Sequence, residues 1–320
     1  MTGPEVVEVR EVLPAGLAGE RLDRVVAMVT GRSRAEVAAL VDDGVVRIDG
    51  RPVTKASLRV REGAVLEVAL PPLADAPTVA AEADVAFRVV HADDHVIVVD
   101  KPAGVVVHPG AGNARGTLVA GLLDQFPEIA SVGDPERPGV VHRIDRGTSG
   151  LLLVARSAEG YTSLVDQLSS RSVERAYRAL AWGRFASPRG LIDAAIGRSG
   201  RDPTRMAVSA KGREARTRYE VLAGWSDPAV TLVECRLDTG RTHQIRVHLA
   251  AIGHPVVGDT RYGGARSTLP LGRPFLHAAE VGFTHPVSGE HLGFESPLPA
   301  DLVAVLDGLG DPDPTATRPD

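Results

Sequence analysis

The sequence predicts an α+β protein: a large domain on a mixed, mainly antiparallel β-sheet, preceded by a small N-terminal α/β module. Three observations carry this expectation. From residue 84 onward short β-rich runs outnumber helical ones and do not alternate with them one for one, which argues against a doubly wound parallel sheet. Residues 17–72 read in the order helix, helix, turn, strands. Between the two lies LADAPTVAAEADV, an acidic, Pro/Ala-rich stretch without periodicity, read as a linker over residues 73–83.

Taken in order, residues 1–16 are expected to be an N-terminal extension. RLDRVVAMVT then places Leu22, Val25, Val26 and Val29 at helical spacing, and Ser33 with Glu36 forms a capping box for a second helix, RAEVAALV. Asp43-Gly44 closes that helix, VVRI is a strand, Asp49-Gly50 a hairpin turn, and GAVLEVAL a later strand. In the domain of residues 84–309, VIVVD, VVVH, GVVH, LLLVA, AYRALAWG, TRYEVLAG and TLVECRL read as strands. TLVAGLLDQF, EGYTSLVDQLSS and HQIRVHLAAIG read as helices, and the polar, Pro-rich residues 310–320 as a disordered tail.

Composition narrows the function classes. With 320 residues and 43% hydrophobic content the chain can bury one large core and a smaller one, which excludes a disordered or fibrous protein. No segment approaches the roughly 20 apolar residues of a membrane span, and the first residues lack a basic and an apolar leader region. A cytoplasmic, membrane-free monomer is expected. Cys235, the single cysteine, can form neither an internal disulfide nor a thiolate metal cluster and reads as a small core residue. The net charge of −5 argues against a polyanionic partner until its distribution is considered. Residues 140–261 hold 19 Lys plus Arg against 12 Asp plus Glu, and 18 of those cations are arginines, suited to bidentate phosphate contacts and to stacking on bases.

Two constellations fall in this basic half. In GVVHRIDRGTSGLLLVARS, residues 139–157, a β run delivers His142, Arg143 and Asp145 to a turn containing Gly147 and Gly150, from which a second apolar strand leaves. Positive charge from Arg143, Arg146 and Arg156 favours an ionised Asp145, which suits a nucleophile or base better than a general acid. Alone, such an aspartate reads equally well as a turn-former bonding its own backbone. In LDTGRTHQIRVHLAAIGHPVVGDTRYGG, residues 237–264, a turn at Gly240 leads into a helix whose Ile245, Leu249 and Ile252 can face the core. Thr242 with Arg246, and Gln244 with His248, are four apart, so polar groups project together near its start, and Arg246 becomes an ion-pair partner for a site carboxylate.

HRIDRGTSGLLLVAR resembles the catalytic motif of the RluA-type pseudouridine synthases, and GRTHQIRVHLAAIGHPVVGD their second signature. KPAGVVVHPG and RAYRALAWG resemble the two other blocks of that family, in family order. The RLDR start, SRAEVAALVDDGVVRIDG and RPV resemble an S4 RNA-binding domain, and its presence with HPGAGNARGT makes the chain most similar to the RluD-like, large-subunit ribosomal RNA branch. The resemblance implies isomerisation of uridine in large-subunit (23S) ribosomal RNA, without metal or organic cofactor. By position it places the catalytic carboxylate on Asp145, an arginine that helps fill or stabilise the space left by the flipped base on Arg143, a tyrosine packing on uracil on Tyr177, the carboxylate's partner on Arg246 and an apolar wall on Ile245. His142, Thr242 and Gln244 are expected to bind substrate, and Arg32, Arg34, Arg47 and Arg51 to contact phosphates from the S4-like module. Ile144 replaces the commoner leucine, Gly147 stands where relatives often carry a polar residue, and Arg175 replaces a frequent lysine.

Other chemistries fit poorly. His243 and His248 are five apart and neither HExxH nor CxxC occurs, as a metal hydrolase would need. GTSGL has its second glycine one place early for a nucleophile elbow, and GAGNARG does not match a dinucleotide fingerprint. The rival from another class is a non-catalytic RNA-binding assembly factor that keeps the domain as a scaffold.

Overall fold

The computed structural model describes residues 7–30, 34–70, 79–110 and 112–314, with the side chains of Val7 and 34–36 left aside. The chain divides into two compact units, Met1–Ala76 and Pro77–Asp320.

In the first unit β1 (Val7–Val12), α1 (Leu22–Thr30), α2 (Arg34–Asp42), β2 (Val46–Ile48), β3 (Arg51–Pro52) and β4 (Val65–Leu70) form a two-helix layer and an antiparallel sheet ordered β1-β4-β2-β3. Leu22, Val25 and Val26 are fully buried beside Val37, Val46 and Leu66, so the helical spacing read in the sequence does place one face in the core. The β2–β3 turn has Asp49 at φ 51° and Gly50 at φ 74°, the two positive values that a tight hairpin demands. Asp49 secures it by accepting from Val65 N at 2.9 Å and from Arg61 at 2.8 Å. The capping box at Ser33 and Glu36 lies outside the described residues and side chains. One expectation changes: residues 7–12 are not an extension but a full strand, with Val7 opposite Leu70 and Val12 opposite Val65. The alternation in VEVREV is short and charged, and pairing with β4 supplies what its sparse apolar face does not.

In the second unit β5 (Arg88–Ala92), β6 (Val96–Lys101), α3 (Leu118–Gln125), β7 (Ser149–Ala155), α4 (Ala158–Ser169), β8 (Glu174–Trp182), β9 (Arg189–Asp193), β10 (Ile196–Arg198), β11 (Met206–Val208), β12 (Arg216–Ser226), β13 (Ala229–Leu237), α5 (Gln244–Ala251), β14 (Leu276–Thr284), β15 (His291–Glu295) and α6 (Ala300–Leu309) follow in order. The main sheet runs β5-β6-β7-β14-β8-β13-β12-β9, with β15 on β14 and a separate β10-β11 hairpin. Among the described strands of this sheet only β7 and β14 pair in parallel, so it is mixed and mainly antiparallel, as the sequence predicts. β7 is buried along its whole length, in keeping with its unbroken apolar run. α3 is capped by Thr117, whose side chain accepts from Ala120 N, and α4 by Ser157, which accepts from Gly160 N.

VVVH and GVVH are not strands; they make only the isolated bridges Val106 to Thr117 and Val140 to Val154, because each enters a loop around the site described below. Ile252, expected in the core, caps α5 and is 40% exposed. The start of the expected tail is held in place. Trp225 Nε1 donates to Gly310 O at 2.9 Å, and the Asp313 carboxylate accepts from Ser226 at 2.6 Å and pairs with Arg184. At the linker's far end Glu82 N donates to Ala120 O, and its carboxylate accepts from Gly116 N, both at 2.9 Å.

Candidate active site

A cleft of about 90 Å³ opens where the loop before β7, the edge of β8, the end of β13 and the start of α5 meet. Asp145 sits on that loop, its backbone carbonyl accepting from Thr148 N at 3.0 Å to close the turn. β8 contributes Arg175 and Tyr177, the loop Arg143 and Ile144, and the α5 segment Thr242, His243, Gln244 and Ile245. Asp145, Tyr177 and Arg246, separated by up to 101 positions, thus converge: the first two line the cleft and Arg246 reaches the carboxylate from α5.

Arg246 Nη1 donates to Asp145 Oδ2 at 2.9 Å, while Nε and Nη2 donate to the two oxygens of Asp259 at 2.7 and 2.9 Å. Asp259 is fully buried and also accepts from Arg261 N and Tyr262 N, so its side chain is fixed and holds the guanidinium in plane. The Tyr262 ring lies 5.1 Å from the Arg246 guanidinium carbon and adds a cation–π contact. Burial by itself would lower the Arg246 pKa, but the hydrogen bond to Asp259 and the charge of Asp145 outweigh it and raise it. Asp145 Oδ1 accepts no hydrogen bond among the described residues, so one carboxylate oxygen is anchored and the other faces the cleft.

His243 approaches that free oxygen. Its Nε2 stands 3.9 Å from Asp145 Oδ1, beyond hydrogen-bond reach. Its Nδ1 lies 2.8 Å from the Tyr262 hydroxyl, whose oxygen accepts from Met206 N at 3.2 Å. The Tyr262 hydroxyl thus fixes the orientation of the ring, with Nε2 turned toward the carboxylate. Burial lowers the His243 pKa, with Asp145 opposing and Arg246 reinforcing the shift. The residue needs a left-handed backbone, φ 57°, to present its ring this way.

The walls are apolar: Ile144, Tyr177, Leu237, Ile245 and Leu276. Burial pushes the Tyr177 hydroxyl pKa up, so the phenol stays neutral. Arg175 is 8% exposed, its Nη2 donates to Leu237 O at 3.4 Å, and its buried Nε has no partner among the described residues. Beneath the site, at the end of β6, Lys101 is fully buried, donates to Pro102 O and Val105 O at 2.9 Å each, and has its pKa pushed down to about 7 by burial against the pull of Asp145.

The expected substrate contacts divide. Arg143, Thr242 and Ile245 line the cleft. Gln244 borders it, but its amide is spent on structure: Oε1 accepts from Thr239 Oγ1 and Arg241 N, and Nε2 donates to Arg216 O and Thr217 Oγ1. His142 does not line it. Its Nε2 accepts from Leu153 N at 2.9 Å and burial pushes its pKa down to about 3, so it serves as a neutral prop for β7. His248, paired by spacing with Gln244, points elsewhere, to Thr217 Oγ1 and Ala194 O. Nor are Arg146 and Arg156 the charges beside Asp145. Arg146 donates to Gly104 O and Arg156 to Glu128, and Arg246 and Arg175 stand at the site instead. In the first unit Arg47 and Arg51 are exposed, whereas Arg32 and the Arg34 side chain lie outside the described set.

Four functional groups went unassigned in the sequence: His243, Asp259, Tyr262 and Lys101. Asp259 and Tyr262 stand in the GDTRYGG end of the second signature, a polar cluster after an apolar run that was itself a signal. The left-handed turn of His243 and the burial of Lys101 have no local signature.

Comparison with known proteins agrees with this geometry. The family described as RNA pseudouridylate synthase matches residues 95–251, and the S4 domain matches residues 20–66. A protein named uncharacterized RNA pseudouridine synthase from Chloroflexus aurantiacus is 48% identical, covering 96% of each chain. Ribosomal large subunit pseudouridine synthase D of Xanthomonas campestris is 43% identical over 93% of this chain and 91% of its own. The solved human RNA pseudouridylate synthase domain containing 1 superposes with TM-score 0.58 at 28% identity, covering 74% of this chain and 91% of its own. With the family blocks in order along the chain and their side chains gathered around one anchored carboxylate, the chain belongs to the RNA pseudouridylate synthase family and carries an S4 domain ahead of its synthase domain.

Proposed function

We propose that this enzyme converts uridine to pseudouridine in large-subunit ribosomal RNA, with Asp145 as the reacting carboxylate. The observation that carries the role of Asp145 is its asymmetry: Oδ2 is held by Arg246, itself locked by Asp259, while Oδ1 faces the cleft without a hydrogen bond among the described residues.

The reaction breaks the bond from N1 to C1′, turns the uracil, and joins C5 to C1′; the hydrogen lost from C5 is balanced by one gained at N1. The proton released from C5 goes to a base or to solvent and another is taken up at N1, so there is no net gain or loss of atoms or electrons. The target uridine leaves its stack, at a cost of a few kcal/mol, and its ring is held between Tyr177, Ile245 and Leu276. Arg246 positions the carboxylate and Arg143, at the mouth, takes up the RNA strand. Arg246 holds Oδ2, so Oδ1 is the oxygen offered to the substrate, whether it meets the ring, C1′ or a sugar proton.

The RNA class rests on the S4 domain and on relatives whose names specify the ribosomal large subunit. The synthase acts as a monomer in the cytoplasm, on free or pre-ribosomal RNA. Chemical mapping of pseudouridine in RNA from cells with and without this gene tests the reading. One or more large-subunit sites are expected to be lost. A loss confined to transfer RNA would refute the substrate, and no loss in any RNA would refute the activity.

A further inference from the structure

Beside the cleft lies a second and larger depression, a groove of about 610 Å³ that shares Arg143, Arg175, Gly240 and Arg241 with it. Its cationic side adds Arg213 and Arg137, and among the described residues no carboxylate lines it. Along the sheet, by contrast, Arg178, Arg189, Arg218 and Arg236 are each paired with Asp or Glu. In the groove only Arg137 has such a partner, Asp134; Arg143, Arg175, Arg213 and Arg241 have none among the described residues. Burial and the neighbouring Arg213 lower the Arg241 pKa, against an opposing pull from Glu214, which stands outside the groove lining. Cations gathered along one wall, most of them without an ion-pair partner among the described residues, mark a place for an anion.

The opposite wall is of another kind. Tyr161, Val165 and Leu168 stand four and three apart on α4 and present one apolar face to the groove, with Val165 37% exposed. Further along the wall, His108 has its buried Nδ1 without a hydrogen-bond partner among the described residues. An arginine side facing an apolar side matches a nucleotide, which has a phosphodiester at one end and a flat base at the other. Gly240 lines both cavities, and its Cα stands close to the Arg175 guanidinium.

We propose that this groove is a subsite for the nucleotide adjoining the target uridine, with its phosphodiester among Arg143, Arg175, Arg213 and Arg241 and its base against Tyr161, Val165 and Leu168. It deepens the reading of the chain as an RNA synthase and rests on it. A strand that sends one base into the cleft passes the shared arginines as it leaves, so the neighbouring nucleotide is read before the uridine reacts. The enzyme then selects its uridines partly by the flanking base.

The test uses total RNA from cells lacking the gene and compares the wild type with Arg213→Glu, Arg213→Lys and Val165→Asp. Arg213 and Val165 are exposed and outside the cleft, so the fold is kept, and unchanged urea midpoints verify this. Arg213→Glu is expected to raise KM about tenfold and Val165→Asp several-fold, with the rate at saturating RNA within about twofold of the wild type and Arg213→Lys near it. In a short RNA carrying the mapped uridine, an abasic residue on one flank should raise KM for the wild type but not further for Val165→Asp. An active wild type with unchanged KM in both variants, or a loss confined to the saturating rate, would overturn the subsite and leave the synthase reading standing. A wild type that modifies no uridine would overturn that reading and the subsite with it.

Discussion

At the scale of single residues, the site turns on how one carboxylate is held. Asp145 reaches the cleft through a guanidinium that is itself clamped by the fully buried Asp259, so removing the charge of Asp259 should be felt at both. Asp259→Asn leaves the Arg246 charge short of a partner in a buried position and is expected to cost about 3 kcal/mol of unfolding free energy, read from urea denaturation, with a fall in the rate at saturating RNA. Lys101 predicts a pH dependence. Its pKa of about 7 lies below the roughly 10.4 of an unfolded lysine, so between these values the unfolded chain binds more protons. Stability from this residue therefore rises with pH across that window, and below about 7 the penalty of the buried charge is present in full. The difference in unfolding free energy between wild type and Lys101→Met should climb from neutral to alkaline pH; a flat difference would show that Lys101 does not discharge in the fold.

At the scale of elements, the meeting of β7 and β14 is the tightest point of the design. The two strands pair in parallel only at His277 with Ser149 and Ala278 with Gly150. Gly150 has φ 109°, and a Cβ there would lie 2.2 Å from Ala278 O, so Gly150→Ala combines a forbidden conformation with a backbone clash. It is expected to lose at least about 2 kcal/mol, measured as a lower urea midpoint. A wild-type midpoint would mean that the strands can move apart. Elements whose pattern is local were legible in the sequence: α1 from its spacing, the β2–β3 turn from Asp49-Gly50, and β7 from an unbroken apolar run. β14, which joins β7 to β8 in the sheet, was not read, because LHAAEVGFT mixes small, polar and apolar residues and its buried His277 is satisfied by the distant Ser149 and Ser296. VVVH and GVVH failed for the converse reason: β-branched content marks an extended chain but not a ladder partner. Asp145, Tyr177 and Arg246 were legible through motif resemblance, whereas the sequence could not show that His142 turns its Nε2 to the β7 backbone and lies outside the cleft.

At the scale of the whole molecule, a chain of net charge −5 works on a polyanion because its cations are gathered rather than numerous. If Arg47 and Arg51 contact phosphates, Arg47→Glu with Arg51→Glu should weaken RNA binding in low salt and flatten the dependence of log affinity on log salt by about two, while the rate at saturating RNA is kept. An unchanged slope would move the RNA contact of the S4 domain elsewhere. The account depends above all on Asp145. Asp145→Asn keeps the shape of the side chain, and Arg246 keeps its two bonds to Asp259, so the fold and the affinity for RNA should persist. Pseudouridine formation by wild type and Asp145→Asn, compared in one turnover on saturating RNA, is the most direct measurement: the account predicts a loss of about a thousandfold or more with binding preserved, and conversion at the wild-type rate would contradict it.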